Sequence, residues 1–223
     1  MESFTFNNVK SDSLDIIVKN MPLIGAAQRN IESIAVDGRN GNLHIDNGNY
    51  LSKSYTITCI AKSKNKIDDI VKTFVGKSKL TLSKYTDRFF YATVKNQIPF
   101  SKYLNYLQEF PIQFEVDPIA YSNEETTETL SASGTINVGG NADVSPILVV
   151  TGAGQLTVNG YPLNVTETGV IIDCELMNCI KNNLSANDKV LLDEFPKLKP
   201  GTNEITLGTG ITNVIIKYRK GWL

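Results

Sequence analysis

Short runs of alternating apolar and polar residues recur along most of this chain, and Gly, Asn, Asp and Pro separate them. Because alternation places every second side chain on the same face, each run predicts a half-buried β-strand. The predicted strands are 14–18, 33–36, 55–61, 79–82, 88–94, 112–116, 135–138, 146–151, 155–158, 162–165, 170–176, 204–207 and 213–218. So many short strands predict a mainly β protein and favour a sandwich or jelly roll.

Asn-Gly and Asp-Gly pairs mark the tight turns. Asp37-Gly38 and Asn40-Gly41 lie between early strands, and Asn159-Gly160 separates strands 155–158 and 162–165. Both central residues of a primed two-residue turn need positive φ, which Asn and Gly tolerate. The second half is therefore expected to contain a tight hairpin at Asn159-Gly160.

One segment, residues 65–75, follows a helical rather than a strand period. Its apolar residues at helical spacing are Ile67, Ile70, Val71 and Phe74. Asn65 is expected to cap this helix, Asp68 and Asp69 favour its positive end, and Gly76 can end it. The pattern predicts one amphipathic helix across a sheet. A second short helix at residues 101–107 is an alternative that the periodicity does not settle.

A polar, acidic stretch divides the chain. Residues 122–129, Ser-Asn-Glu-Glu-Thr-Thr-Glu-Thr, have no apolar face and are interpreted as a linker or an exposed loop. Glu124, Glu125 and Glu128 are accordingly expected to be solvated. We predict two domains, residues 1–121 and 122–223.

Charge and hydropathy exclude several partners. The chain has 22 Lys plus Arg and 23 Asp plus Glu, so its net charge produces no electrostatic attraction to the phosphates of a nucleic acid. Apolar runs such as residues 147–150 are far below the roughly 20 residues that cross a bilayer. No membrane insertion and no export signal are expected.

The cysteines predict buried, reduced thiols. Cys59, Cys174 and Cys179 form neither an even set nor paired C-x-x-C motifs, which argues against a disulfide framework and a structural zinc site. Cys174 alternates with Ile172 and Leu176 and is expected to share their apolar face. No metal and no cofactor are predicted.

No motif supports catalysis. His44 is the only histidine, and a surface or cross-strand position is expected for it. The stretch Val75-Gly76-Lys77-Ser78 lacks the earlier glycine and the strand-to-helix order of a P-loop, since Val71 occupies that glycine position. Gly152-Ala153-Gly154 lacks the third glycine of a dinucleotide site and is interpreted as a hairpin turn. A hydrolase is the least supported reading.

Several stretches, in order along the chain, resemble the distal tail proteins of long, non-contractile-tailed bacteriophages. The last is Phe195-Pro-Lys-Leu-Lys-Pro-Gly-Thr-Asn-Glu-Ile-Thr-Leu207, followed by Gly-Thr-Gly and a strand. The others are Ser3-Phe-Thr-Phe-Asn-Asn-Val9, Asp37-Gly-Arg-Asn-Gly-Asn-Leu43, Asn47-Gly-Asn-Tyr50, Tyr55-Thr-Ile-Thr58, Ile67-Asp-Asp-Ile70, Asp87-Arg-Phe-Phe-Tyr-Ala92 and Phe114-Glu-Val-Asp-Pro118. The resemblance covers nearly the whole chain.

This resemblance implies an amino-terminal β-sandwich with one helix and a protruding hairpin, followed by a galectin-like, jelly-roll-like β-sandwich. It implies a non-enzymatic hub, a homo-hexameric ring that joins the tail tube protein to tip, baseplate and receptor-binding proteins. DNA would meet the protein only while passing through the ring. The expected location is the virion tail tip, after assembly in the host cytoplasm.

Two sets of residues are candidates for contacts. The tract 20–31 combines apolar residues with Pro and Gly, and Met21, Leu23 and Ile24 are the expected anchors of self-association, unless the tract is a buried loop. Tyr161 and Trp222 are candidate ligand or interface aromatics. They keep open an alternative function, a lectin-like module that binds host cell-wall sugars.

Overall fold

The computed structural model describes residues 2–102 and 107–223, and the side chains of residues 101 and 102 are not described. The chain is mainly β with curled sheets, which confirms the predicted fold class. It forms two compact units, Met1–Ala120 together with Leu223, and Tyr121–Trp222.

The first unit contains one main sheet, one helix and a separate hairpin. Its elements are β1 Phe4–Phe6, β2 Val9–Lys10, β3 Ile16–Asn20, β4 Arg29–Ile34, β5 Leu43–Tyr50, β6 Lys53–Ala61, α1 Ile67–Thr73, β7 Lys77–Leu82, β8 Arg88–Val94, β9 Ser101–Lys102 and β10 Gln108–Ser122, which ends in the second unit. Short 3-10 segments cover Ser11–Leu14 and Lys64–Lys66. The sheet order is β2-β1-β7-β8-β10-β6-β3, with β9 on β10.

Aromatic side chains hold α1 on the main sheet. Ile70 and Phe74 from the helix are buried, and the Phe74 ring centroid lies 5.7 Å from that of Phe4 and 5.9 Å from that of Phe6. Phe114 from β10 completes the cluster, with its ring 5.3 Å from Phe6. Such ring pairs add about 0.5–1.5 kcal/mol each to the burial of their apolar area.

The helix begins differently from the prediction. Ser63, and not Asn65, supplies the cap, because its side chain accepts a hydrogen bond from the Asn65 N–H before the 3-10 turn that leads into α1. The helix ends at Thr73, and Gly76 has φ +72° further along. The alternative helix at 101–107 lies largely outside the described residues, apart from strand β9.

The second unit is a β-sandwich. Its elements are β11 Thr126–Leu130, β12 Gly134–Val138, β13 Ile147–Gly152, β14 Gly154–Val158, β15 Tyr161–Val165, β16 Val170–Asp173, β17 Asn178–Lys181, β18 Leu184–Ser185, a 3-10 turn Asn187–Lys189, β19 Val190–Leu192, β20 Gly201–Leu207, β21 Ile211–Tyr218 and β22 Gly221–Trp222. A six-stranded sheet, β11-β21-β13-β16-β17-β18, faces a five-stranded sheet, β12-β20-β14-β15-β19. Buried residues of both sheets form one core.

Two sequence interpretations in this unit are wrong. Much of the supposed linker is strand β11, which pairs with β21 from Thr126 to Leu130. The strand lacks an apolar pattern because it lies at the edge of its sheet, where few apolar side chains are needed. Leu176 does not share the face of Ile172 and Cys174. It is 70% exposed, because β16 ends at Asp173 and the Asp173 carboxylate accepts hydrogen bonds from the N–H groups of the next turn.

Gly152 and Gly154 do not form a hairpin turn. The chain crosses here from β13 in one sheet to β14 in the other, and it crosses back at Gly208-Thr209-Gly210 between β20 and β21. The two crossings touch through their backbones: a Cβ on Gly152 would lie 2.1 Å from the Gly210 oxygen. The paired Gly-x-Gly stretches therefore allow a close backbone contact, not phosphate binding.

A buried asparagine organises the Pro-Gly-Thr-Asn stretch. Asn203 is fully buried, and its Oδ1 accepts hydrogen bonds from Lys199 N at 2.8 Å and from Asn159 Nδ2 at 2.7 Å. Its Nδ2 donates to the carbonyls of Lys199 and Gly201. Asn159 and Gly160 have φ of +50° and +84°, which confirms the primed hairpin turn.

Residues near the two ends of the second unit are hydrogen-bonded to each other. Ser122 N donates to the Lys220 carbonyl at 2.9 Å, and Lys220 N donates to Ser122 Oγ at 3.1 Å. The Arg219 guanidinium also donates to the carbonyls of Ser122 and Asn123. The unit is thereby closed at its own ends.

The cysteines are free and buried, as predicted. Burial raises the pKa of the Cys59 and Cys174 thiols to about 12 and also raises that of Cys179. Because the thiolate is the nucleophile, we expect none of the three to react with Ellman's reagent at pH 8 in the folded chain, and all three to react in urea. Reaction of any thiol at its unfolded rate without denaturant would contradict this burial.

Candidate functional site

The hairpin β4–β5 is the most exposed part of the first unit. The two strands pair only with each other among the described strands, and every side chain from residue 31 to residue 49 is exposed. An isolated two-stranded hairpin is at best marginally stable in water, and its outer edges leave unpaired backbone groups. It is therefore a segment that another chain can cover.

Polar contacts at its base hold the hairpin together. Arg29 Nε lies 2.8 Å from Asp46 Oδ2, and Arg29 also donates to the Tyr50 hydroxyl and lies over the Tyr50 ring. The Gly48 N–H and the Arg29 guanidinium lower the pKa of the Asp46 carboxyl, and Asp46 raises the pKa of Arg29. These pairs define the register where the hairpin leaves the main sheet.

The register gives the hairpin two different faces. Ile34 lies opposite Leu43, and Glu32 opposite Ile45, so one face carries three aliphatic side chains that are 37–41% exposed. The other face carries Ile31 with Ser33, His44 and Asp46. His44 is thus an exposed cross-strand residue. Three exposed aliphatic residues on one face of an uncovered ribbon form a candidate assembly surface, which we call the hairpin face.

The predicted anchors in tract 20–31 lie in different environments. Leu23 is 85% exposed and Ile24 is partly buried, whereas Met21 is only 5% exposed. Met21 belongs to the core of its own unit, so only Leu23 and Ile24 remain available as anchors. The Lys53 ammonium donates to the Gly25 carbonyl at 2.9 Å and ties this loop to β6.

The candidate aromatics lie on separate elements of the second unit. Tyr161 is 39% exposed beside the Asn159-Gly160 turn. Trp222 is half-buried in β22, next to Gly221, whose carbonyl accepts hydrogen bonds from the N–H groups of Asn141 and Ala142. Carbohydrate binding through either residue stays a prediction.

The described residues offer no group of three or more His, Cys, Asp or Glu side chains that could hold a metal ion. Within the same residues, no helix is both long and apolar enough to span a membrane. Neither finding identifies a function.

Comparisons with known proteins give a family model and a similar solved structure. Residues 131–222 match the family model described as the siphovirus-type tail component, C-terminal domain. No curated protein matches the chain. Among solved structures, the chain is similar to the Dit protein (gp 19.1) of phage SPP1, with a TM-score of 0.81, 13% sequence identity and full coverage of both chains. SPP1 Dit is described as a paradigm of the hub adsorption apparatus in phages that infect Gram-positive bacteria.

The resemblance noted in the sequence is thus confirmed at two levels, by the family model over the second unit and by the fold over the whole chain. Residues 131–222 are thus similar to the siphovirus-type tail component, C-terminal domain, and the chain as a whole has the fold of SPP1 Dit.

Proposed function

We propose that this protein is the structural hub of a siphophage tail tip, in which copies of the chain form a ring between the tail tube and the host-recognition proteins. The observation that carries the proposal is the hairpin face, an aliphatic surface on a ribbon that the described part of its own chain leaves exposed. The family match and the shared fold support the tail location.

The proposed contact is head-to-tail. A ring requires two different surfaces on each copy, so the hairpin face of one copy must meet another part of its neighbour. Leu23, 85% exposed in the loop before β4, is available for such a contact in the same unit. Obligate interfaces commonly bury more than about 2,000 Å², so these aliphatic residues would form the centre of a larger contact.

The role needs no catalytic group. A hub works through the contact surfaces of identical subunits arranged around an axis. Its partners are further copies of the chain, the tube protein and the tip proteins. We propose assembly in the host cytoplasm, where free, buried thiols such as Cys59 remain reduced.

The paired replacement Leu43→Asp/Ile45→Asp tests this function. Both residues lie on the hairpin face, and a carboxylate buried in a contact without a partner is strongly unfavourable. We expect the wild-type chain to form a ring in light scattering and negative-stain images. The variant should associate about 100-fold more weakly or worse, a loss of about 2.8 kcal/mol.

The control is His44→Asp, on the same strand as Leu43 and Ile45 but on the opposite face of the hairpin. It should keep the wild-type assembly, and both variants should keep the wild-type thermal transition. A wild-type chain that stays monomeric at high concentration, or equal loss of assembly in both variants, would contradict the proposal.

A further inference from the structure

The two outer faces of the second unit differ in chemistry. On the five-stranded sheet the outward side chains are mostly polar, and include Thr135, Asn137, Gln155, Thr157, Asn164 and Glu204. The outer face of the six-stranded sheet instead carries a continuous aliphatic row. A solvated sandwich needs no such row, so its presence calls for a physical reason.

Strand register defines this row residue by residue. Directly paired residues of an antiparallel sheet point to the same side, and each residue of the row pairs with the next one. In order across the sheet, the aliphatic residues of the row are Ile215, Val149, Ile171 and Ile180, and Thr129 and Ser185 lie at its two ends. Their neighbours along the strands, such as Leu148 and Val150, are fully buried, so the row itself faces outward. Ile171 is 36% exposed at its centre.

A second outward row adds charge beside the aliphatic row. Along the strands, two residues away, it contains Thr127, Lys217, Ile147, Asp173 and Asn178. Lys217 and Asp173 lie on the strands that flank β13, one on each side. The charges are therefore placed symmetrically about β13 and have opposite signs.

This arrangement is complementary to itself. A two-fold axis parallel to β13 would lay one face on the same face of a second copy, with β13 over β13 and the strands aligned. Ile215 would then meet Ile171 of the second copy. Lys217 would meet Asp173 of the second copy, and each of these contacts would occur twice.

We propose that the outer face of the six-stranded sheet packs on the same face of a second copy of this chain, with these two ion pairs at its sides. The contact is a closed two-fold pair, unlike the head-to-tail contact that closes a ring. It does not depend on the proposed ring.

The size of the face sets the expected strength. Five paired strands at about 4.8 Å spacing span roughly 24 Å, and two rows extend only about 7 Å along the strands. This is well below the ~800 Å² per partner of a standard interface. The pair is therefore weak in dilute solution, and it forms at high concentration or where another contact already holds copies together.

Cross-linking of the full chain tests the contact. Val149→Cys places one thiol on the proposed axis, where packed sheets lie about 10 Å apart, too far for a disulfide but within reach of a short bismaleimide. The native cysteines are buried. Thr157→Cys is the control, because this half-buried residue lies on the outer face of the other sheet.

We expect a covalent dimer from Val149→Cys and none from Thr157→Cys, with equal labelling of both introduced thiols by a monofunctional maleimide. In the Val149→Cys chain, the further substitution Lys217→Glu should reduce the amount of covalent dimer about tenfold. It places the new carboxylate opposite that of Asp173 in the second copy. Asp173→Asn should reduce the dimer less, because it removes the attraction to Lys217 without adding a repulsion, and its amide oxygen can still accept the hydrogen bonds of the turn. No dimer from Val149→Cys, or equal dimer from both thiols, would overturn the proposal.

Discussion

Replacing Gly210 with alanine is expected to prevent the second unit from folding stably. Gly210 has φ +94°, and a Cβ there would lie 2.1 Å from the carbonyl oxygen of Ala153. The N–H of Ala153 also donates a hydrogen bond to the Gly210 oxygen. Neither crossing segment can therefore move away from the other without breaking this hydrogen bond. Backbone strain and this clash together should cost at least ~4 kcal/mol, in the exceptional range for one substitution.

Urea unfolding followed by the fluorescence of Trp222, the only tryptophan, measures this loss. With a slope of about 2 kcal/mol per molar, the midpoint of the second unit should fall by roughly 2 M, or the transition should disappear. Gly169→Ala is the control: Gly169 has φ +78°, but a Cβ there meets nothing within 4 Å. It should cost only about 1 kcal/mol. Equal effects of the two variants would mean that the crossings are not closely packed.

Asn203→Ala is expected to have the next largest effect. The substitution leaves the Lys199 N–H and carbonyl, the Gly201 carbonyl and the Asn159 amide without their buried partner. Each unsatisfied buried group costs about 1–3 kcal/mol, although the loop can admit water to some of them. We expect a loss of about 3 kcal/mol, measured by the same fluorescence-detected unfolding.

Asn137→Ala is the matched control. Asn137 is exposed on β12, where its Cα partner is Thr202, next to Asn203. Its removal should change stability by less than about 0.5 kcal/mol. Asn203→Asp should cost at least as much as Asn203→Ala, because a buried carboxylate would face the Lys199 and Gly201 carbonyl oxygens with no proton to donate to them. If Asn203→Ala matched Asn137→Ala, the network would have no role in stability.

The sequence predicted well those features that local chemistry decides. Strand β8 was expected at residues 88–94, and it covers Arg88–Val94. The Asn159-Gly160 turn followed from the need for positive φ at two adjacent residues. The helix period around Ile70 and Phe74 likewise depends only on neighbouring residues.

The features that the sequence did not predict depend on distant partners. Strand β11 has almost no apolar signal, and it is a strand because β21 lies beside it. The role of Gly152 becomes visible only when Gly210 is packed against it, and that contact joins residues far apart in the chain. For Met21 the sequence left both a contact surface and a buried loop open, because only tertiary packing decides whether an apolar loop residue enters the core, as Met21 does.

The closure of the second unit at Ser122 and Lys220 has an evolutionary consequence. A fold whose entry and exit strands are hydrogen-bonded to each other can be grafted into another protein at a single position, because its host needs to supply only two adjacent attachment points. Such a module can be gained or lost as one unit, while the rest of the chain keeps its own fold.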